Sequence, residues 1–290
     1  MSTLLLQSLY SGILSGGYYA LIAVGLALVF GTMRIINLAH GELVLLSAYI
    51  AYTAEVQFGL NPLASIPAAL VIVGLTSVLV YYLVNQIKVD RELNSLILTF
   101  GIGIILTNLI LMNWSADIRS TSTAWFHDSI IVADTLFSMK SEVFFFVIGL
   151  ALMAGLWWWL TRTWYGRAVR AVSSNRDAAK LMGVNPTLTE VASFLVAATM
   201  STVAGTAIYT ASVIYPSLGH NLTVKAFIIT VLAGMGSIPG VIVGAMLIGI
   251  MEAMTVTLYK SSVQELTGMV LFLLVLFVRP SGLFGGQKGG

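Results

Sequence analysis

Long apolar runs separated by short polar islands dominate the pattern of this chain. From residue 2 to residue 33 no Lys, Arg, Asp, Glu or His occurs, and about 20 apolar residues suffice to cross a hydrocarbon core of roughly 30 Å. The first basic residue, Arg34, follows this run rather than preceding it. The segment therefore lacks the basic leader of a signal peptide and is expected to be retained as a span. Further low-charge runs cover 43–58, 63–87, 93–114, 143–160, 191–214, 226–259 and 266–278, making eight candidate spans. Backbone N–H and C=O groups in lipid must be satisfied within the segment, and no ten-residue alternation of a membrane barrel is present. An all-α integral membrane fold follows. The run 226–259 would be about 50 Å long as one helix, and Gly234, Gly236, Pro239 and Gly240 interrupt it, so a broken or re-entrant element is expected near 234–240.

The connections set the orientation. Segment 162–186 carries Arg162, Arg167, Arg170, Arg176 and Lys180 against Asp177 alone. Segment 113–142 carries Asp117, Asp128, Asp134 and Glu142 against Arg119 and Lys140. Lys and Arg accumulate in cytoplasmic loops, so the first segment is expected inside, together with Lys88 and Arg91, and the second is expected to be an external loop. Eight crossings would then leave both termini outside, in conflict with the basic tail of Arg279 and Lys288. The path of 226–259 decides that question.

Composition narrows the class without changing this picture. The chain of 290 residues is 58% hydrophobic and 9% charged, with a mean hydropathy of +0.95, whereas about a quarter of a soluble domain is charged. A soluble enzyme or binding module is excluded, and the whole of 1–290 reads as one transmembrane domain. A net charge of +2 gives no reason to expect a nucleic-acid partner. With no Cys, disulfides, thiolate metal sites and cysteine nucleophiles are also excluded.

Three polar clusters carry the candidate chemistry. In GTMRIINLAHGELVLL, Arg34, Asn37, His40 and Glu42 form an island beside Gly41. Ionisable groups at a bilayer centre cost about 2.5–3.5 kcal/mol and usually face a cavity or a partner. One reading is a short cytoplasmic turn; the other is a discontinuous helix near 34–42, because Ile35, Ile36, Leu38 and Ala39 are poor content for a solvated loop. A metal site at His40 and Glu42 is weakly supported, since a separation of two does not share a helical face. The second cluster is the Gly-rich run around 234–244. Gly236, Gly240 and Gly244 lie four apart, as in helix packing, while Gly234 to Pro239 points to a true interruption. Glu252, beyond it, is either a helix-end carboxylate or a buried partner for a cation such as Arg34. In the third cluster, GRAVRAVSSNRDAAKLMGVNP, Ser174 or Asn175 can cap a short helix over 176–182, Gly183 can end it and Pro186 stops its continuation. Its Arg residues either serve only the positive-inside bias or flank a small apolar surface, with Ala178, Ala179, Leu181, Met182 and Val184, suited to another protein's groove.

No G-x-x-x-x-G-K-[ST], H-E-x-x-H or G-x-S-x-G occurs, and His40, His127 and His220 are scattered. Hydrolysis of ATP through a P-loop and an intramembrane active site are thus unsupported in this chain.

At these same clusters the sequence resembles the permease subunits of branched-chain (hydrophobic) amino acid ABC transporters. The stretch YYALIAVGLALVFGTMRIINLAHGELVLLSAYIAY resembles the family's N-terminal signature, with Asn37, Ala39, His40, Gly41 and Glu42 in its INxAHGE core. GRAVRAVSSNRDAAKLMGVN resembles its ATPase-docking segment, KAFIITVLAGMGSIPGVIVGAMLIGIMEA its C-terminal half-signature, and RPSGLFG, at 279–285, its ending. Order and spacing are LivH-like rather than LivM-like. The resemblance implies an ABC importer permease fold and a multi-pass position in the bacterial inner (plasma) membrane. The implied partners are a second homologous, LivM-like permease subunit, two cytoplasmic ABC ATPases that bind ATP and Mg²⁺, and an external solute-binding protein. No cofactor is implied in this chain. Arg167, Arg170, Asn175, Arg176, Asp177, Ala178, Ala179, Leu181 and Gly183 would form the ATPase-coupling helix. Asn37, His40, Gly41 and Glu42 with Gly234, Gly236, Pro239, Gly240 and Glu252 would line or shape the translocation pathway. The same permease type also serves urea and short amides. An ion-coupled carrier using Glu42 and Glu252 is a different class, but it gives no role to 166–186, and a passive assembly protein gives none to 34–42.

Overall fold

The computed structural model describes residues 2–132, 135–234 and 236–284. Asp134, Gly285 and Lys288, singled out above, lie outside the described residues. The order begins with α1 (Ser2–Met33), α2 (His40–Phe58), a 3₁₀ turn (Pro62–Ser65), α3 (Ile66–Asn85) and α4 (Arg91–Trp114). A short α5 (Ala124–His127) and an antiparallel hairpin of β1 (Ser129–Val132) and β2 (Leu136–Met139) follow, and then α6 (Lys140–Arg162). The remainder is α7 (Trp164–Ser174), α8 (Arg176–Leu181), α9 (Pro186–Ala211), α10 (Leu218–Ala233), α11 (Ile238–Leu258) and α12 (Gln264–Val278). Seven helical segments among the described residues are long and apolar enough to cross a membrane. The hairpin is the departure from an all-helical chain. It lies within 113–142, where Asp117 pairs with Arg119 at 2.8 Å and Asp128 with Lys140 at 2.8 Å.

Two faces of the bundle can be told apart from contacts. The Ser173 hydroxyl of α7 donates to the Gly31 carbonyl, which puts the end of α1 on the basic face with segment 162–186. Gln7 bonds the Phe137 carbonyl at 2.7 Å, which puts the start of α1 against the hairpin on the opposite face. The centre of the molecule is α1, packed on α11 and α9. Helices in lipid gain little from hiding apolar surface from one another and associate through close van der Waals packing of small residues. At the α1–α11 crossing a Cβ on Gly12 would lie 2.6 Å from the Ile250 Cα, and one on Gly249 would lie 2.4 Å from the Gly12 carbonyl.

The run 226–259 is two helices, not one. Gly234 and Gly236 have positive φ (96° and 99°), and Ser237 accepts the Gly240 N–H at 3.2 Å as the cap of α11. Residues 283 and 284 then lie against the end of α10, where their N–H groups donate to the Leu232 and Ala233 carbonyls at 2.8 and 2.9 Å. α10 ends and α11 begins at this break, the interruption expected near 234–240, and with seven helical segments of spanning length among the described residues the expected number of about eight is approximately met. The start of the chain lies on the hairpin side and Arg279 on the basic face, in keeping with its charge.

Candidate functional site

Helices α1 and α9 have 32 and 26 residues; each is followed by six non-helical residues, 34–39 and 212–217, and then by a shorter helix, α2 or α10. The two units run in opposite senses. α1 ends on the basic face, whereas α9 starts there, at Glu190 beside Arg176, and ends where Tyr209 meets Glu55. The interruption at 34–39 is not a kink in a continuing helix. His40 Nε2 donates to the Ile22 carbonyl at 2.9 Å, while a continuous helix would separate residues 22 and 40 by about 27 Å. The chain turns back, and α2 begins deep inside the bundle.

This return leaves backbone groups free in an apolar interior, and side chains from distant helices satisfy them. Thr99 of α4 accepts the Leu38 N–H at 3.1 Å. Thr223 of α10 accepts the Gly41 N–H at 2.9 Å and faces the Leu38 carbonyl at 3.2 Å. Asn37 Oδ1 accepts the Ala39 N–H at 3.1 Å. Asn37, His40, Gly41 and Glu42 are all buried, so a solvated cytoplasmic turn is excluded. The first turns of α2 and α10 lie side by side, with the Glu42 carboxylate against Gly219. A Cβ there would lie 2.1 Å from Glu42 Oε2. Helix N-termini carry partial positive charge, so the acid sits where two such ends converge. Among the described residues no group of three potential metal ligands comes together.

Gly234, Gly236, Pro239 and Gly240 sit elsewhere, at the far end of α10, about 20 Å from Gly219 along the helix. There they meet the basic segment: Gly236, Ser237 and Pro239 share a groove of about 420 Å³ with Arg170 and Ser173 of α7. The second and third sequence clusters are thus neighbours. Gly244 packs on α10, its Cβ position 3.3 Å from Leu232. In the third cluster Asn175, not Ser174, caps α8 by accepting the Ala178 N–H at 2.9 Å, and Gly183 (φ 83°) ends it. Arg167, Arg170, Arg176, Asp177, Ala178 and Leu181 are exposed, as is Met182. Ala179 is the exception: it is buried beneath α8, because the short helix must seat one side on the bundle. It belongs to the support of the surface rather than to the surface.

Glu252 has a cation partner, but not Arg34, which lies exposed on the basic face at φ 54°. Its partner is Lys225 of α10, at 3.0 Å, with Tyr19 donating at 2.9 Å. Sequence reasoning also missed Glu190, fully buried in α9, whose carboxylate takes Arg176 Nε at 2.8 Å and the Tyr81 hydroxyl at 3.1 Å. That bond raises the affinity of the Arg176 guanidinium for its proton and ties α8 to the bundle. Glu55 escaped notice as well; it gathers Thr121, Ser122, Thr123 and Tyr209 where the hairpin-side loop meets α2 and α9. A charged residue inside the candidate span 43–58 was the available signal for Glu55; Lys225 stands just before the run 226–259 and gave none.

Comparison with known proteins bears on the family and the fold. A family model described as the permease component of branched-chain amino acid transport systems matches residues 8–279. The chain is 29% identical to the high-affinity branched-chain amino acid transport permease BraD of Pseudomonas aeruginosa, covering 97% of this chain and 95% of that one. It is 30% identical to the corresponding LivH of Escherichia coli, at the same coverage. In fold it is similar to a metal-chelate type ABC transporter solved in an inward-facing conformation, with a TM-score of 0.51 at 18% identity over 94% of this chain and 85% of that one. Seven apolar spans and these relatives make it a multi-pass membrane protein. The chain belongs to the family of permease components of branched-chain amino acid transport systems.

Proposed function

We propose that this chain is the membrane-spanning subunit of an ATP-driven importer of branched-chain and other neutral amino acids in a bacterial inner membrane. It pairs with a second permease of the same kind. Two cytoplasmic ATPases bind ATP and Mg²⁺, and an external binding protein delivers the cargo on the hairpin side. The carrying observation is the junction on the basic face: the exposed end of α8, fixed by Asn175 and Arg176, adjoins α7, which shares its groove with the α10–α11 break. An ATPase moving α7 and α8 would act directly on α10, whose other end meets Gly41 and Glu42. An ion-coupled carrier needs no such surface.

Uptake into vesicles containing the assembled transporter, supplied with each candidate binding protein and labelled leucine, alanine or urea, tests the reading. ATP-dependent accumulation of leucine is expected. Accumulation of urea but not leucine would reassign the cargo, and accumulation without ATP would overturn the class.

A further inference from the structure

Along the hairpin-side half of α1, Gln7, Ser11, Ser15 and Tyr19 recur every four residues, which places them on one ridge of the helix. A polar ridge on a span is unfavourable against lipid. This one instead forms a wall of a cleft of about 300 Å³, whose other wall includes Val256 and Thr257 of α11. At the inner end of the cleft stands the Lys225–Glu252 pair. Glu252 is 2% exposed, and its Oε2 accepts three bonds: from Tyr19 at 2.9 Å, Lys225 at 3.0 Å and Gln264 at 3.2 Å. Lys225 Nζ also lies 4.4 Å over the Tyr19 ring. Beyond the pair is a second cleft of about 130 Å³, which Lys225 lines along with His220 and Glu265. Glu252 borders both clefts and Tyr19 only the first. The pair is the partition between them.

Stability does not account for it. A buried ion pair replaced by apolar groups of similar volume is often neutral or stabilising, and ionisable side chains within spans mark solute pathways more often than packing. An α-amino acid carries an ammonium and a carboxylate on one carbon, the same two charges that face each other here about 3 Å apart. Its carboxylate can take Lys225 and the Tyr19 hydroxyl while its ammonium takes Glu252, exchanging one ion pair for two without leaving a charge unpaired. Val256 of the first cleft, one helical turn from Glu252 on α11, offers apolar surface to a branched side chain. We propose that Tyr19, Lys225 and Glu252 form an exchange site for the zwitterionic head of the cargo, and that the closed pair separates the two clefts until cargo replaces each partner. This rests on the amino acid importer reading above.

The test uses the complete transporter in proteoliposomes and reads leucine imported per ATP hydrolysed. The double variant Lys225→Met with Glu252→Met keeps volume and removes both charges. An exchange site predicts that the ratio falls at least tenfold; a purely structural pair predicts an unchanged ratio, which would overturn the proposal. If the double variant does not assemble with its partners, Tyr19→Phe decides. It keeps the ring under the ammonium and removes only the hydroxyl, so the ratio falls about threefold if the site is real, and an unchanged ratio overturns it. Absence of leucine uptake by the unaltered transporter would instead refute the importer reading itself.

Discussion

Gly41 and Gly219 show how little tolerance the centre of this molecule has. A Cβ on Gly41 would lie 2.1 Å from the Gly219 carbonyl, while Gly155 on α6 is exposed and has nothing within 4 Å. Forcing atoms into a packed site costs typically 1–3 kcal/mol. Gly219→Ala and Gly41→Ala should therefore each lower the thermal midpoint of the purified protein by several degrees, with uptake reduced, and Gly155→Ala should leave both unchanged. A normal midpoint for Gly219→Ala would show that the two first turns can separate. The polar island of Asn37, His40 and Glu42 was legible because ionisable groups between two apolar runs have few explanations. Its partners were not: Thr223 stands 182 residues after Gly41, and nothing in the local pattern ties a threonine to a particular backbone N–H. Arg34 was the nearest cation in the first cluster, and the structure instead offers Lys225, in the middle of α10, whose first half no hydropathy run had outlined.

Among the elements, α8 was read most completely from sequence. Asn at the cap, Gly after the last turn and Pro at the next start are local chemical rules that tertiary packing rarely reverses. What the pattern did not reveal was which side of six residues faces the bundle. Leu181 and Met182 are 88% and 84% exposed, while Ala179 is buried. Leu181→Glu should accordingly leave folding intact and reduce ATP-coupled uptake at least tenfold, whereas Ala179→Arg should lower the thermal midpoint by displacing α8. Equal losses of stability for both would mean that Leu181 is not a free surface. Helix α10 was read least well. Its first half carries His220, Asn221 and Lys225 and so resembles a loop, and it is helical because Thr223 and Lys225 find partners on α2 and α11.

At the scale of the whole molecule, membrane class and the polarity of the loops were evident from 9% charge and its uneven placement. The parity of crossings was not, because one uninterrupted low-charge run conceals a complete turn on the basic face. The contacts of Gln7 with the hairpin and of residues 283 and 284 with the end of α10 predict that the two ends of the chain lie on opposite sides. A chain without Cys is already a clean background for accessibility labelling. In intact cells a membrane-impermeant thiol reagent should label Ile118→Cys but neither Val89→Cys nor Ser281→Cys, and all three after permeabilisation. Labelling of Ser281→Cys in intact cells would put both ends on the same side. The contact of Gly41 with Gly219 carries a mechanical corollary. Two helices that touch through side chains can slip by the width of a rotamer, but backbone lying on backbone has no slack. On the importer reading proposed above, a push delivered to α10 at the basic face would reach the first turn of α2 with little side-chain slack to absorb it.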